Sequence, residues 1–420
     1  MASLPPQTSI PAFFPPDFYA EAKDRLRKQY VGKRLVDIRS PALVVNRAIV
    51  ERNARRFEQI SERLGVKMRV HVKTHKTIEA TEIQLSEKCD SIIVSTMAEA
   101  DFLINSHLVS TKRLRDVLLG LPISPDKLQE AALLAKKVPV FNLMIDNLEA
   151  LEAVESFCVQ WGQDKGEELK FHAFLKIECG NQRAGVPPNY APTLELAQRL
   201  QASPHVHLTG IYSHAGHSYG GRDPGSTQDF LHQERDAALE FKQYLEKNGV
   251  KVGEISIGAT PTAMAASLES VEGLGGITEL HAGNYIFFDR QQIATGLVAP
   301  EDCAATVLCR VLSHYPLRSQ ILVDAGALAF SRDAAPQGGF GTVLGHETWE
   351  FAKTSQEHGI MTVPVEEFSK LPIGTALHVI PNHACLTAAC FPFYIVVSDS
   401  GNSALDQLVV EDVWVPCKFW

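Results

Sequence analysis

Val66-Lys67-Met68-Arg69-Val70 runs directly into His71-Val72-Lys73-Thr74-His75-Lys76, and the architecture of the chain turns on what this junction is. Its first half alternates apolar and polar residues, as a half-buried strand does. A lysine at the end of such a strand has two readings. One is a surface ion pair or a solvated strand end. The other is an amine that bonds a carbonyl carbon, the compact charge on a long stem being suited to a Schiff base. The rest of the chain separates them.

Upstream, Pro41-Ala42-Leu43-Val44-Val45 is strand-like and Asn46 is a helix N-cap candidate. Val50, Ala54, Phe57, Ile60 and Leu64 then recur at helical spacing, with Gly65 as the stop. Downstream the alternation repeats. Short apolar runs end at Lys73, Ser95, Gly120, Asp146, Ile177, Tyr212, Gly258 and His281. Helix-permissive segments separate them, among them Thr227 to Asn248. Eight such units in about 240 residues predict a β/α (TIM-like) barrel, with a doubly wound sheet as the alternative.

After Gly296 the character changes. Val307–Val311, Gln320–Val323, Leu377–Ile380, Phe393–Val397 and Val409–Val415 are strand-like, with glycine- and proline-rich connections. The expected organisation is α/β: an N-terminal arm at 1–40 that packs with the β domain, a barrel at 41–298, and a mostly-β C-terminal domain at 299–420.

Composition bounds the class. With 45% apolar and 21% charged residues in 420, the chain reads as a globular protein of two domains. A net charge of −9 gives no reason to expect nucleic acid or an anionic membrane as partner. No apolar run reaches bilayer length, and Met1-Ala2-Ser3-Leu4-Pro5-Pro6 lacks the pattern of a secretory signal. The 8 cysteines follow no framework spacing, which predicts reduced thiols and a cytoplasmic setting.

In a barrel, chemistry sits at the C-terminal strand ends, and the unusual residues fall there. Beyond Lys73 they include Arg183 in Glu178-Cys179-Gly180-Asn181-Gln182-Arg183, Tyr212 and Tyr219, Thr260, and Gly283-Asn284. Glycines and small hydroxyl residues after strands let backbone N–H groups approach a phosphate, although each is equally an ordinary tight turn. Arg183 and the tyrosines suit a planar polar ring, or simple ion pairing and packing. His214 and His217 read as lining residues rather than metal ligands. In the β domain, Pro381-Asn382-His383-Ala384-Cys385 places His383 and Cys385 on one face if it is a strand. Imidazole with thiolate suits zinc, although buried Cys and His are also ordinary core residues. Cys390 reads as core, and Ser355–Gly359 as a lid or a solvated turn.

From about Pro41 to the C-terminus the chain resembles the eukaryotic D-serine dehydratases, of the alanine-racemase-like, fold-type III pyridoxal phosphate enzymes. His71-Val-Lys-Thr-His-Lys76 and Pro381-Asn-His-Ala-Cys-Leu-Thr387 carry the resemblance. It implies Lys73 as the Schiff-base and catalytic lysine, and Zn2+ on His383 and Cys385. Cofactor contacts are implied from Arg183, Tyr212, Tyr219, Thr260, Gly283 and Asn284. It also implies a homodimer acting on D-serine, and on D-threonine as a further substrate, by loss of water to pyruvate and ammonia. Glu178 departs from the aspartate expected before the Cys-Gly turn. D-threonine aldolases and D-3-hydroxyaspartate dehydratases share the fold, the former resembling His-x-Asp at the metal; a pyridoxal phosphate carrier is the non-enzymatic alternative.

Overall fold

The computed structural model describes residues 18–399 and 407–418. Strand β1 (Ala42–Asn46) leads into a helix at Arg47–Leu64, capped by Asn46 Oδ1, which accepts from Ala48 N at 3.1 Å. Gly65 ends that helix in the left-handed region at φ 67°, where a side chain would be strained.

Eight parallel strands then close into a barrel. They are β2 (Lys67–His71), β3 (Ser91–Val94), β4 (Asp116–Pro122), β5 (Val140–Ile145), β6 (Phe171–Lys176), β7 (Val206–Tyr212), β8 (Glu254–Ile257) and β9 (Glu279–Ala282). Each ends within two residues of the apolar-run terminus read from the sequence. The closure excludes the doubly wound sheet.

The barrel interior is layered. Near its N-terminal end Arg69, 3% exposed, bonds Glu279 at 2.9 Å and both oxygens of Asp116 at 2.8 Å. A buried guanidinium is tolerable only with such complete pairing. Above it lies an apolar layer of Ile93, Leu118, Met144, Phe174 and Tyr212. The C-terminal end carries lysines, imidazoles and hydroxyls.

The second sheet has nine strands. It comprises β10 (Ala305–Tyr315), β11 (Gln320–Val323), β12 (Gly341–Val343), β13 (Glu350–Thr354), β14 (Gly359–Thr362), β15 (Ala376–Pro381), β16 (Tyr394–Val397) and β17 (Asp412–Trp414), with β1 as the ninth. Strand β1, expected from the sequence to head the barrel segment, pairs antiparallel with β10 and parallel with β16. Residues 42–46 therefore belong by hydrogen bonding to the β domain. Ser355 to His358 form the connection between β13 and β14, docked through Ser355 O on Ala327 N at 2.7 Å.

Of the N-terminal arm, the helix Phe18–Tyr30 is described. Its Arg27 pairs with Asp412 of β17, and Tyr30 stacks on Phe393 with ring centroids 5.5 Å apart. Among the described residues no helix is long and apolar enough to cross a membrane.

Candidate active site

Lys73 sits in a single tight turn, Val72–Thr74, that leaves β2. His71 Nδ1 receives the Lys73 N–H at 3.3 Å and so caps the turn. Three imidazoles share this end of the barrel: His71, His214 and His281. Burial first, and lysine charges second (Lys73 for His71 and His214, Lys176 for His281), hold all three well below the usual histidine range. They are neutral at pH 7, and their tautomers follow from their partners. His214 Nδ1–H donates to Gly258 O at 2.9 Å. Ser256 Oγ donates to Glu279 at 2.6 Å, so it accepts from His281 Nδ1–H at 2.9 Å. His281 Nε2 is then a lone-pair acceptor, and no hydrogen-bond partner for it lies among the described residues.

Tyr212 stacks on His281 with ring centroids 4.2 Å apart and planes 10° from parallel. Lys176 Nζ lies 4.6 Å from the Tyr212 ring centroid. Burial, and then the charge of Arg183, brings the Lys176 ammonium down to about 8. Arg183 itself is exposed, on the loop after β6, where Gln182 has φ 52°. Its charge nevertheless bears on Lys176, Tyr212, His214 and Tyr219. Glu178, the departure noted in the sequence, closes the turn by accepting Gly180 N–H at 2.6 Å.

Gly258 and Thr260 lie where β8 passes into the short helix Thr260–Ala265. A fully buried carboxylate organises this corner. Glu234 accepts from Ser213 Oγ at 2.6 Å, Gly258 N at 3.1 Å and Thr262 Oγ1 at 3.3 Å. Tyr219, enclosed, hydrogen-bonds Thr260 and faces Cys385 and Asp289. At Gly283 a Cβ would lie 3.1 Å from both the side chain and the carbonyl of His71, so a side chain there would crowd the meeting of β9 and β2. Asn284 donates its amide to Asp289 Oδ2 at 2.5 Å, leaving Oδ1 buried with no partner among the described residues. Small residues at the strand ends suit close approach of a phosphate, and the two orphan acceptors call for hydrogen-bond donors on whatever occupies the site.

The segment Pro381–Cys385 is not a strand throughout. Strand β15 ends at Pro381, and His383 is the N-cap of a helix, Ala384–Ala389. Its alanines favour the helix, and proline ends the ladder. The two candidate ligands still meet, through a turn rather than strand alternation: the His383 and Cys385 side chains are hydrogen-bonded. Burial disfavours the His383 charge, but Cys385 and the Asp333 carboxylate outweigh it, lifting the imidazolium to about 11. Burial likewise opposes the Cys385 thiolate, and His383 outweighs it, lowering the thiol. Asp333 Oδ2 lies 2.5 Å from His383 Nδ1, so Nε2 is the nitrogen left for Cys385 or a metal. Thr74 Oγ1 lies 3.1 Å from Cys385 Sγ. This joins the pair to the residue after Lys73. A thiolate and an imidazole fit a borderline-soft metal with open positions. Cys390 is exposed rather than core.

Residues 45–291 match the family model "Alanine racemase, N-terminal domain", and residues 304–397 match "Putative serine dehydratase domain". The chain is 36% identical to D-serine dehydratase of Schizosaccharomyces pombe over 410 residues, 95% of this chain and 96% of that protein. This chain belongs to the D-serine dehydratase family. Another member, D-serine dehydratase of Saccharomyces cerevisiae, is 32% identical and is matched over 93% of this chain and 99% of its own length. The solved structure of D-threo-3-hydroxyaspartate dehydratase from Delftia sp. HT23 superposes with a TM-score of 0.80 at 30% identity, covering 92% of this chain and 100% of that one. A cysteine-to-alanine mutant of that dehydratase, in the metal-free form, superposes at 0.79. The first match contains the whole barrel and the second contains β10 to β16 of the other sheet.

Proposed function

We propose that this chain removes water from D-serine to give pyruvate and ammonia, with pyridoxal phosphate on Lys73 and zinc on His383 and Cys385. The observation that carries this is the junction of Lys73-Thr74 with the His383–Cys385 pair through the 3.1 Å contact of Thr74 Oγ1 with Sγ. That a relative has been solved as a cysteine-to-alanine mutant in the metal-free form is in keeping with a metal in this family.

Bound on Lys73, the cofactor supplies an electron sink for the charge left at the α-carbon. Zinc supplies a Lewis acid for the departing hydroxyl, which is otherwise a poor leaving group. The chain's own residues do the rest. Once the substrate amine has displaced it from the cofactor, the Lys73 amine would be free to take the α-proton. The neutral imidazoles around it add no charge that would hold the substrate carboxylate elsewhere. Glu234 braces the turn after β8 through Ser213, Gly258 N–H and Thr262, and Arg183 would face the ring from the rim. Asn284 and Asp289 are buried and Tyr219 is half-buried, which would limit water on this side of the site. Loss of water from serine leaves 2-aminoacrylate, which takes up water to give pyruvate and ammonia.

A carboxylate in place of Cys385, as in the aldolase pattern, would suit a harder ion, so the thiol favours the dehydratase. The β domain with its ligand pair disfavours a bare cofactor carrier. The reading includes the homodimer implied by the family resemblance. It includes a cytoplasmic setting, supported by eight cysteines that all stand as free thiols.

D-serine is expected to give pyruvate, and D-threonine 2-oxobutanoate; glycine with acetaldehyde as the main product would make the chain an aldolase. Chelation is expected to abolish turnover and zinc to restore it. Full activity of folded, cofactor-loaded, metal-free protein would remove zinc from the reading.

A further inference from the structure

Asp289-Arg290-Gln291 follow β9 in the chain, yet they bond mainly to the turn that carries His383 and Cys385. Asp289 Oδ2 accepts Ala384 N–H at 2.8 Å. Arg290 Nη1 donates to Asn382 Oδ1 at 2.6 Å, and Gln291 Nε2 donates to Asp333 Oδ2 at 3.2 Å. The same Asp289 oxygen accepts from Asn284 Nδ2, and Oδ1 accepts Gln292 N–H at 3.0 Å. Asp289 is 0% exposed. Just before it, Phe288 is held at φ 49°, a conformation that costs a side-chain-bearing residue energy and persists where the surroundings enforce it.

We propose that Asp289 is a positioning residue that sets the metal-bearing turn against the cofactor half of the site. The chemistry is that of an acceptor with no donor of its own. It fixes the Asn284 amide with Nδ2 on the carboxylate and Oδ1 left without a partner among the described residues, and it holds the one backbone N–H that lies between the two ligands. An amide at this position would let Asn284 turn over and would set a donor against Ala384 N–H. Thr74 grips Cys385 from the end of β2, and Asp289 grips Ala384 from beyond the adjacent β9, so the ligand turn is held from two neighbouring strand ends. This role rests on the reading that zinc binds His383 and Cys385 beside Lys73.

Two variants test it. Asp289→Asn removes the carboxylate. Ala384→Pro deletes the N–H it accepts and sets the ring Cδ in its place, so the carboxylate must also draw back: Ala384 is the first helical residue, where proline is tolerated, and His383 has the extended backbone (φ −139°, ψ 105°) that proline requires before it. Three quantities are read on cofactor-loaded protein: zinc affinity by chelator competition, exchange of the D-serine α-proton in deuterium oxide, and pyruvate formation. Both variants are expected to bind zinc about 10-fold more weakly, the scale of a lost supporting bond at a metal site. At saturating zinc they are expected to lose about 10-fold in pyruvate formation while exchange stays within about 3-fold. A parallel fall in exchange and pyruvate with zinc affinity unchanged would reduce Asp289 to a structural role. So would variants indistinguishable from wild type. If Asp289→Asn does not fold, Ala384→Pro alone decides. The underlying reading fails separately, in wild type: pyruvate formation indifferent to zinc removal overturns the metal assignment and this role together, whereas unchanged variants of a zinc-dependent wild type overturn only the role.

Discussion

Lys76 offers a test of how the Lys73 turn is held. It has φ 54°, a left-handed conformation that costs a residue with a Cβ about 1–2 kcal/mol. Three contacts keep it there. Its N–H donates to Val72 O at 2.8 Å, and its carbonyl accepts from Cys417 N at 2.7 Å. Its ammonium lies 2.8 Å from Glu99, which is 1% exposed against 26% for Lys76. Removing one member of a buried pair costs about 3–5 kcal/mol, and the partial exposure of Lys76 argues for the low end, about 3. Lys76→Ala loses the pair and keeps the strain. Lys76→Gly also loses the pair, but it recovers about 1–2 kcal/mol of strain and gives back about 0.5–1 to chain entropy. The glycine variant is therefore expected to be less stable than wild type by about 2 kcal/mol and the alanine variant by about 3. Urea midpoints on cofactor-loaded protein should rank wild type, then glycine, then alanine. An alanine variant unfolding at the same or higher urea than the glycine variant would refute the strain argument.

Borohydride reduction is expected to fix the cofactor on the peptide containing Lys73, and label on Lys67, Lys76 or Lys176 would reassign it. Asp333→Asn is expected to weaken zinc binding about 10–100-fold with the cofactor spectrum retained; chelator competition matching wild type would show that the carboxylate does not support His383. Lys176 titrates near 8 when folded, against 10.5 in its ordinary state. Its protonation therefore costs stability below about pH 8, and the cost is relieved as pH rises toward 10.5, where the unfolded chain binds more protons. In cofactor-free protein the rise should vanish in Lys176→Met, and equal pH slopes for the two proteins would refute the assignment.

The barrel was legible because each of its strands is a short apolar run whose end is set locally. Strand β1 was misplaced because its partners Leu308 and Tyr394 lie far along the chain, and periodicity carries no information on pairing. Strands β12 to β14 are three to five residues long and partly exposed, too short and too mixed to stand out. His383 and Cys385 meet through a helix N-terminus rather than along a strand, and the alanines at 384, 388 and 389 are the helix signal in that stretch. Glu234 had a signal as well: it falls on the buried stripe Thr227, Leu231, Ala238, Phe241 and Leu245 of the helix Pro224–Lys247, where a carboxylate is out of place unless it holds something. Asp289 and Asp333 had none, because Ala384 and His383, the partners that matter, lie 95 and 50 residues along the chain.

The pairing of β1 also orders events in time. Both strands that flank it, β10 and β16, leave the ribosome after the barrel is complete. At about 5–20 residues per second, the roughly 260 residues between β1 and β10 take some 13–50 s to make. During that interval Leu43 and Val45 have no sheet to join, while the eight barrel strands and the Lys73 turn can already close. The ligand turn at His383 emerges later still, and it docks on groups that the barrel has already presented. A nascent chain thus builds the lysine side of its site before the thiol side exists, and Cys385 emerges when Asp289 and Thr74 are already there to receive it.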